Sequence, residues 1–414
     1  MNKVILSHCT GNQNSRYALC ALVESDMLCE FWTSIAWDAS SILNKIIPDT
    51  YAKSLKRRSF SCSRRMLHAV PVHEVMRLLV RKSPWRESYS SEGAFSVHGV
   101  HRSFDKTVSQ NIAASKANLI YGYEGGALNS FRRAKKMGIK TVYEIQSSYW
   151  YWNQYLFKNE VEKYSGKRRI PSVLKDSDIH LKWKDEELSL ADYVIVPSCH
   201  VKSTMGNVID ERRIRVMFYG APKVEDVEHR FSAYPEKLRI LYVGGVHFRK
   251  GIKYLFEALD LLDFKVEVCV IGRLESWNKN IIERLRSVNW YKSMAHEDVI
   301  KIMREYDLLV HPSLTEGCSL VALEALSVGL PIIVTENSGV ADVIRDGEQG
   351  YVVSIRDAGA IAEKLSKVHR HREVLKKMSI SAQEISKKMS WDRYKKSFVN
   401  NIRSILDDVD EGVF

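Results

Sequence analysis

Short apolar runs alternate with stretches of helical periodicity along most of the chain. This alternation is typical of parallel α/β units, in which a buried strand is followed by a helix that covers the sheet. Eleven runs have the length of buried strands, six in the first half and five in the second. They cover residues 4–6, 29–32, 118–121, 140–143, 193–196, 214–217, 239–243, 266–271, 307–310, 331–334 and 350–353. The pattern predicts an α/β protein with two doubly wound, Rossmann-like domains.

A polar stretch with two prolines, from Gly220 to Pro235, separates the two groups of strands. Stretches of this kind connect domains, and 414 residues suffice for two hydrophobic cores. We therefore predict domains at residues 1–222 and 223–394, followed by a terminal helix at 395–414. Ligands of open parallel sheets bind beyond the carboxyl ends of the strands, so we expect the site in a cleft between the domains.

The composition indicates a globular protein, with 45% hydrophobic and 27% charged residues. Seven scattered cysteines without a Cys-x-x-Cys pair argue against a disulfide framework and favour a reducing compartment. Polar residues follow the first strand at once, so no secretory signal is expected. The longest nearly apolar stretch, residues 318–335, contains Glu324 and is interrupted by Gly329 and Pro331, which excludes a membrane span. A cytoplasmic location is the expectation.

The net charge of +12 lies entirely in the first half of the chain. Residues 1–222 contain 33 basic and 21 acidic side chains, whereas the rest is balanced. Such a surface attracts anionic membranes, nucleic acid or acidic polymers, although a basic face can also be merely solvated. The basic residues concentrate at 53–58, 64–65, 77–86 around Trp85, and 132–136. They motivate the hypothesis of peripheral contact with an anionic membrane at its inner face.

The most informative segment places Glu316 and Glu324 eight residues apart across a loop-to-helix junction. Residues 307–310 form a predicted strand that Pro312 ends, and the apolar residues 320–326 predict a helix. At 1.5 Å per residue the carboxylates lie roughly 12 Å apart, beyond the ~5–9.5 Å of glycosidase acid/base pairs. They are therefore predicted to bind opposite ends of one long polar ligand. The amides between them, which favour an anion, belong to Gly317, Cys318, Ser319 and Leu320. A nucleotide sugar has this shape.

A second candidate site follows the first strand of the second half. Gly244 and Gly245 begin a turn that leads through Arg249 and Lys250 into a helical segment. Glycine lets the backbone approach a ligand closely, and cations ahead of a helix favour an anion. This turn is predicted to bind phosphate.

Together the two segments closely resemble the family 4 (group 1) retaining glycosyltransferases of GT-B fold. That family carries a Glu-x7-Glu signature and a Gly-x5-Lys-Gly phosphate loop, and Pro312-Ser313 and Gly329-Leu330-Pro331 extend the match. The resemblance covers residues 191–395 well and residues 1–150 partially.

The resemblance implies that Glu316 contacts the donor sugar and Glu324 the nucleotide ribose. It also implies that Lys250, with Arg249, neutralises the departing nucleoside diphosphate. Gly245 stands where an arginine is common in the family, and Arg249 is the candidate replacement. The implied activity is sugar transfer from a nucleotide-diphosphate donor, with retention of configuration and without a metal or other cofactor.

In the first half the family's donor-facing glycine loop corresponds to Gly11 and Asn12, although an ordinary turn explains this segment equally well. Many members carry a histidine after a middle strand, but here that strand leads into residues 143–150, which contain none. Glu124, beside Gly125-Gly126, is a candidate catalytic carboxylate on the acceptor side, or only a charge at a helix N-terminus.

Two further patterns imitate metal sites. Asp176-Ser177-Asp178 has an Asp-x-Asp spacing but no strand before it, and His98 and His101 lie three residues apart without other ligands nearby in the sequence. We expect no metal site, and a surface pair of histidines.

The predicted partners are a nucleotide sugar and a sugar, polysaccharide or lipid-linked acceptor, in surface polysaccharide or glycolipid synthesis. Two alternatives stay open: an epimerase or phosphorolytic enzyme on the same fold, and a non-enzymatic binder of an anionic polymer through the basic first half. No nucleic-acid partner is expected, because no aromatic-basic recognition module is visible.

Overall fold

The computed structural model describes residues 2–37, 58–80, 93–164, 176–223, 231, 237–274 and 279–407. These residues form two parallel β-sheets, one from each half of the chain, and helices connect the strands. All eleven predicted strands are present, with ends within two residues of the prediction. The predicted fold class is confirmed. The prediction missed two short strands, Leu67–Ala69 and Asn289–Tyr291, whose side chains are only partly buried or exposed.

The first sheet has seven strands in the order β3-β2-β1-β4-β5-β6-β7. They are β1 (Val4–Ser7), β2 (Leu28–Thr33), β3 (Leu67–Ala69), β4 (Leu119–Tyr123), β5 (Lys140–Glu144), β6 (Tyr193–Val196) and β7 (Ile214–Val216). The central strands β1 and β4 are fully buried, as expected for parallel strands covered on both faces. The helices of this half are α1 (Gln13–Glu24), α2 (Val72–Val80), α3 (Val97–Asn111), α4 (Leu128–Lys136), α5 (Trp150–Tyr164), α6 (Asp178–Leu190) and α7 (Cys199–Thr204).

The second sheet has six strands in the order β10-β9-β8-β11-β12-β13. They are β8 (Leu238–Val243), β9 (Val266–Ile271), β10 (Asn289–Tyr291), β11 (Leu308–His311), β12 (Ile332–Thr335) and β13 (Gly350–Val353). The helices of this half are α8 (Ile252–Asp260), α9 (Lys279–Arg286), α10 (His296–Met303), α11 (Leu320–Ser327), α12 (Ala358–Arg370), α13 (Glu373–Lys388) and α14 (Trp391–Asp407).

The last helix, α14, packs against α1 of the first half. Trp391 stacks on Tyr17 with ring centroids 4.1 Å apart, and Lys395 Nζ lies 2.9 Å from Glu24 Oε1. The predicted division between residues 394 and 395 therefore falls inside one helix. Most of the predicted join between the domains, residues 224–230 and 232–236, lies outside the described residues.

The basic clusters of the first half are partly paired where the structure describes them. Arg58 and Arg77 both contact the buried Glu74 carboxylate, at 2.8 and 2.5 Å. Residues 53–57 and 81–86, including Trp85, lie outside the described residues. Across the described ranges, every helix is too short or too polar to cross a bilayer.

Candidate active site

Glu316 lies in the loop between β11 and α11, where a strand of the second sheet ends. Its amide donates to the Asn337 carbonyl oxygen at 2.9 Å, and its side chain is 11% exposed. Lys250 Nζ lies 2.5 Å from Glu316 Oε1, so two residues predicted from separate motifs form an ion pair. A carboxylate oxygen has two lone pairs, so Oε1 can accept a hydrogen bond from a ligand hydroxyl in addition to its contact with Lys250.

The charges around Glu316 keep it ionised. Burial alone would raise the pKa of its carboxyl, but the positive charges of Lys250 and Arg249 outweigh burial and lower the pKa to about 2. The neighbouring His311 is fully buried, and burial together with the Lys250 charge lowers its pKa to about 3. At neutral pH this site therefore offers an acceptor carboxylate, a neutral imidazole and two cations.

The loop after β8 is joined to the Glu316 loop through the backbone. Leu314 N donates to Arg249 O at 2.8 Å. Gly251 has a φ of +67°, and a Cβ there would lie 1.7 Å from the Pro312 carbonyl oxygen. No other residue fits this close approach, which places Lys250 against Glu316. Gly244 and Gly245 precede this contact, and Tyr242 Oη donates to Gly245 O at 3.0 Å.

Helix α11 begins at Leu320, the last residue of the predicted row of amides. Ser319 is its N-cap, and the Ser319 hydroxyl accepts a hydrogen bond from Ala322 N at 3.3 Å. The amides of Leu320 and the next residues belong to a first helical turn, where intrahelical acceptors are lacking. Cys318 contributes its side chain to the core, so only its backbone is available to a ligand. The start of α11 thus supplies donors beside Glu316.

Glu324 lies in the second turn of α11 and is 6% exposed. Its Oε1 atom lies 2.8 Å from Nε2 of His296, a residue of α10 whose side chain is 63% exposed. Burial raises the pKa of Glu324, and the contact with His296 opposes this shift. The helix therefore holds Glu324 about one turn beyond its start, and the ribose contact stays a prediction.

A cavity of about 400 Å³ lies at the carboxyl ends of strands of the first sheet, and we call it the first-sheet cavity. The neighbouring strands β1, β4 and β5 end here, as expected for parallel strands around a ligand site. Its lining residues are Ser7, His8, Cys9, Thr10, Asn12, His101, Tyr123, Glu124, Gly126, Gln146 and Ser147. Two of the predicted site residues of this half, Asn12 and Glu124, therefore share one cavity.

Gly11 and Asn12 form the turn between β1 and α1. Gly11 has a φ of +67°, and its N–H donates to Nδ1 of His8 at 2.8 Å. Asn12 caps α1, and its Nδ2 donates to Gln146 Oε1 at 3.1 Å across the cavity. Because Nδ1 of His8 accepts backbone hydrogen bonds, the proton of this imidazole resides on Nε2. Burial, together with the nearby His101, lowers the pKa of His8 to about 3.

Glu124 lies in the turn between β4 and α4. Its Oε1 atom lies 3.1 Å from Nζ of Lys184, a residue of α6. The turn itself is anchored by the buried Glu187 carboxylate, which accepts hydrogen bonds from Gly125 N at 2.8 Å and Ala127 N at 2.9 Å. Burial raises the pKa of Glu187 to about 7, against these hydrogen bonds and that of Tyr143. Glu124 thus projects from a turn of fixed geometry.

Sequence reasoning missed the two histidines of the first-sheet cavity. We expected His98 and His101 to be a surface pair, and this is wrong for His101, which lines the cavity. Burial, together with the nearby His98, lowers the pKa of His101 to about 4. Residues three apart share a helix face, so the spacing was a usable signal once the segment was assigned as helix. His8 and His101 both contribute imidazole groups to the lining of this cavity.

Direct hydrogen bonds join the two halves beside Glu316. Thr315 Oγ1 lies 2.5 Å from Ser148 Oγ and 3.0 Å from His200 Nε2. A Cβ on Gly317 would lie 1.8 Å from the Gln146 carbonyl oxygen. Gln146 therefore touches both the first-sheet cavity and the Glu316 loop, so the two predicted regions adjoin.

Comparison with known proteins agrees with this geometry. The family described as "Glycosyl transferases group 1" matches residues 224–385. An uncharacterized glycosyltransferase of Methanocaldococcus jannaschii is 24% identical over 226 residues, which span 53% of this chain and 61% of the relative. A capsular polysaccharide biosynthesis glycosyltransferase of Staphylococcus aureus is 27% identical over 187 residues, which span 40% of this chain and 49% of the relative. The matches thus cover about half the length of these relatives.

Solved structures match over nearly the full length. Sucrose-phosphate synthase from Thermosynechococcus elongatus superimposes with a TM-score of 0.68 at 14% identity, covering 99% of this chain and 100% of the other. An Anabaena protein, HepE, in complex with UDP-glucose superimposes with a TM-score of 0.61 at 12% identity, covering 98% and 100%. The two parallel sheets, the adjoining loops and these similarities together place the fold among GT-B proteins. Residues 224–385, in the second half of the chain, are the part that is similar to the glycosyl transferases group 1 family.

Proposed function

We propose that this protein transfers a sugar from a nucleotide-diphosphate sugar to an acceptor hydroxyl, with retention of configuration. The observation that carries the proposal is the ion pair of Lys250 and Glu316, 2.5 Å apart, beside the start of α11. A cation next to helix N-terminal amides favours a diphosphate, and an ionised carboxylate favours sugar hydroxyls. The two groups therefore fit the two ends of a nucleotide sugar near its scissile bond.

In the proposed reaction the negative charge on the departing diphosphate grows, and Lys250 and Arg249 stabilise it. In this arrangement the Lys250 ammonium interacts with both the Glu316 carboxylate and the phosphate. Because Glu316 stays ionised, it orients the sugar by accepting hydrogen bonds and does not protonate the leaving group. Donor binding accordingly needs no metal ion in this proposal, since the two cations and the amides supply the positive field.

The acceptor would enter from the first-sheet cavity, which meets the Glu316 loop at Gln146. Its volume of about 400 Å³ suits one or two sugar rings. His8, His101 and Gln146 offer neutral polar groups for hydroxyls, and Glu124 is the proposed acceptor-side carboxylate. Gly11, Asn12, Gly244, Gly245 and the amides from Gly317 to Leu320 would face the donor phosphates, and Glu324 its ribose.

The acceptor class we propose is a growing surface polysaccharide or a glycolipid. The name of the Staphylococcus aureus relative refers to capsular polysaccharide biosynthesis, and another relative, from Campylobacter jejuni, is named for transfer to a diphospho-undecaprenol-linked sugar. A lipid-linked acceptor would be consistent with the +12 charge of the first half.

A donor screen tests the proposal. Thermal unfolding of the full chain is measured with UDP-, GDP- and ADP-sugars, and the donor that stabilises is then followed for release of nucleoside diphosphate. We expect one base to stabilise the wild type and Glu316→Gln to lower turnover by about 10³-fold. Binding without release, or epimerisation of the sugar without transfer, would contradict the proposed reaction.

Peripheral membrane contact is tested separately by sedimentation with vesicles. We expect binding to vesicles that contain anionic lipid, with loss as salt rises, because screening shortens the field to roughly 8 Å at physiological ionic strength. Equal binding to neutral and anionic vesicles, or binding to neither at low salt, would favour a soluble acceptor.

A further inference from the structure

Three potential metal ligands from two segments meet beside the turn of Glu124, where a Cβ on Gly125 would lie 3.4 Å from His180 Cε1. They are His98 in the first turn of α3, Asp176 ahead of α6, and His180 in the first turn of α6. One ligand atom from each side chain lies within 4.8 Å of the others. Helix capping brings two of them together, because the Ser177 hydroxyl accepts a hydrogen bond from His180 N at 3.2 Å.

The distances suit a small divalent ion. His98 Nε2 lies 3.2 Å from Asp176 Oδ1, and His180 Nε2 lies 4.0 Å from Asp176 Oδ2. In a tetrahedral zinc site with Zn–N bonds of about 2.0–2.1 Å, neighbouring ligand atoms are separated by about 3.3 Å. The pair of His98 and Asp176 Oδ1 already has this spacing, and the three ligand atoms lie within 4.8 Å of one another, so rotation of the His180 side chain can bring it to the same ion. We propose that His98, Asp176 and His180 bind a divalent transition-metal ion, for which Zn²⁺ has the best match of ligand types.

The surroundings are those of a built site. The side chains of His98, Asp176 and His180 are 22%, 18% and 5% exposed, so an ion could enter and would be largely shielded. Asp176 Oδ2 lies 2.8 Å from Lys184 Nζ, which leaves Oδ1, on the side of His98, to the metal. Lys184 also contacts Glu124, so it connects the ligand carboxylate to the cavity. Contacts of this kind, made to a metal-binding side chain, orient that side chain and affect the affinity for the metal.

This site does not depend on the proposed sugar transfer, and it departs from the sequence-based expectation of no metal. Its consequence is positional. The ion would connect α3, which carries His101, to the start of α6, and through Lys184 to Glu124. The metal would therefore fix the geometry on one side of the first-sheet cavity, on the opposite domain from Lys250 and Glu316.

Metal content and zinc titration of the full chain test the proposal. Purified protein is dialysed against Zn²⁺, and bound metal is counted by mass spectrometry. We expect about one equivalent of zinc in the wild type. His98→Gln and His180→Gln should each weaken zinc binding by at least about tenfold, and Asp176→Asn should do the same while preserving the shape of the side chain. His371→Gln is the matched control, because His371 is an exposed histidine in the second half next to Glu373.

Two readouts separate this site from adventitious binding. Co²⁺ replacing Zn²⁺ should give visible bands of a tetrahedral nitrogen and oxygen site, without the near-ultraviolet charge transfer of a thiolate. Zinc should raise the unfolding temperature of the wild type and the control but not of the three variants. Wild-type zinc affinity weaker than a Kd of about 1 mM, or zinc retained in both histidine variants, would overturn the proposal.

Discussion

The two regions that meet at Gln146 differ in how they hold charge. Around Glu316 the groups are ionised: a carboxylate whose pKa is lowered to about 2 faces Lys250 and Arg249. In the first-sheet cavity the imidazoles of His8 and His101 are neutral, since burial lowers their pKa values to about 3 and 4. A phosphate ester requires the first environment and an uncharged hydroxyl suits the second. The contrast teaches that charge organises the Glu316 region, whereas the histidines of the first-sheet cavity offer neutral hydrogen-bonding groups.

The largest expected effect is the loss of the Glu316 charge. Glu316→Gln keeps the size of the side chain but weakens its hydrogen bonds to the donor sugar, so turnover should fall by about 10³-fold, or about 4 kcal/mol. Steady-state kinetics with the identified donor provide the measurement. Glu348→Gln, in an exposed surface pair with Arg345, is the control and should retain wild-type turnover. Turnover of the Glu316 variant within about threefold of wild type would remove this residue from the transfer step.

The next effect is on stability and concerns the turn that carries Glu124. The pKa of Glu187 is raised from 4.5 to about 7 by burial, so the folded protein binds a proton that the unfolded chain has already released in this window. The stabilising contribution is therefore fully present below pH 4.5 and is lost as pH rises towards 7. It amounts to up to about 3 kcal/mol.

Glu187→Gln isolates this contribution. Denaturant unfolding at several pH values should show that the difference in unfolding free energy between wild type and variant changes with pH only across this window. A difference that is independent of pH would show that Glu187 has the same pKa in both states.

Loss of the Lys250 charge should weaken the binding of the phosphates of a nucleotide and not that of its nucleoside. Lys250→Met should weaken nucleoside diphosphate binding by about 1.5–3 kcal/mol, roughly 10–150-fold, and leave nucleoside binding unchanged. Titration calorimetry with both ligands provides the comparison. Lys253→Met is the control, because Lys253 pairs with Glu257 on the surface of α8. Equal losses for nucleoside and nucleoside diphosphate would mean that Lys250 lies away from the phosphates.

The smallest expected effect is that of chelation on donor binding. Removal of divalent ions with EDTA should leave the Kd for nucleoside diphosphate within about twofold, because Lys250, Arg249 and the α11 amides supply the positive field. The same treatment should remove metal from the His98 site, so metal content is measured in parallel. Loss of nucleotide binding on chelation, with recovery on adding Mn²⁺, would place a metal at the phosphates.

The same contrast explains which parts of the structure could be predicted from the sequence. The Glu316 region consists of two short loops, residues 244–251 and 312–320, in which spacing along the chain fixes spacing in space. The strands could be predicted equally well, because parallel strands that are buried on both faces are continuous apolar runs in the sequence. The Lys250–Glu316 contact itself was beyond local pattern, since it depends on Gly251 approaching Pro312.

The first-sheet cavity takes its groups from separate elements: His8 after β1, His101 within α3, Glu124 after β4 and Gln146 after β5. The packing of α3 against the sheet turns His101 inward, and the spacing of His98 and His101 shows only that they share a helix face, not that this face is buried. Ion pairs such as Lys184 with Glu124 likewise join residues sixty positions apart in the sequence. Tertiary structure therefore had to supply this half of the site.

The contact at Gly317 has a practical consequence. A Cβ at this position would lie 1.8 Å from the Gln146 carbonyl oxygen, so main chain meets main chain where the two domains touch. No side-chain rotamer can absorb an added group there. Substitution of Gly317 by residues of increasing size should therefore increase the separation between the Glu316 loop and Gln146 step by step. Position 317 is therefore a place at which the spacing of the two halves can be altered by a single substitution and its effect on substrate binding measured.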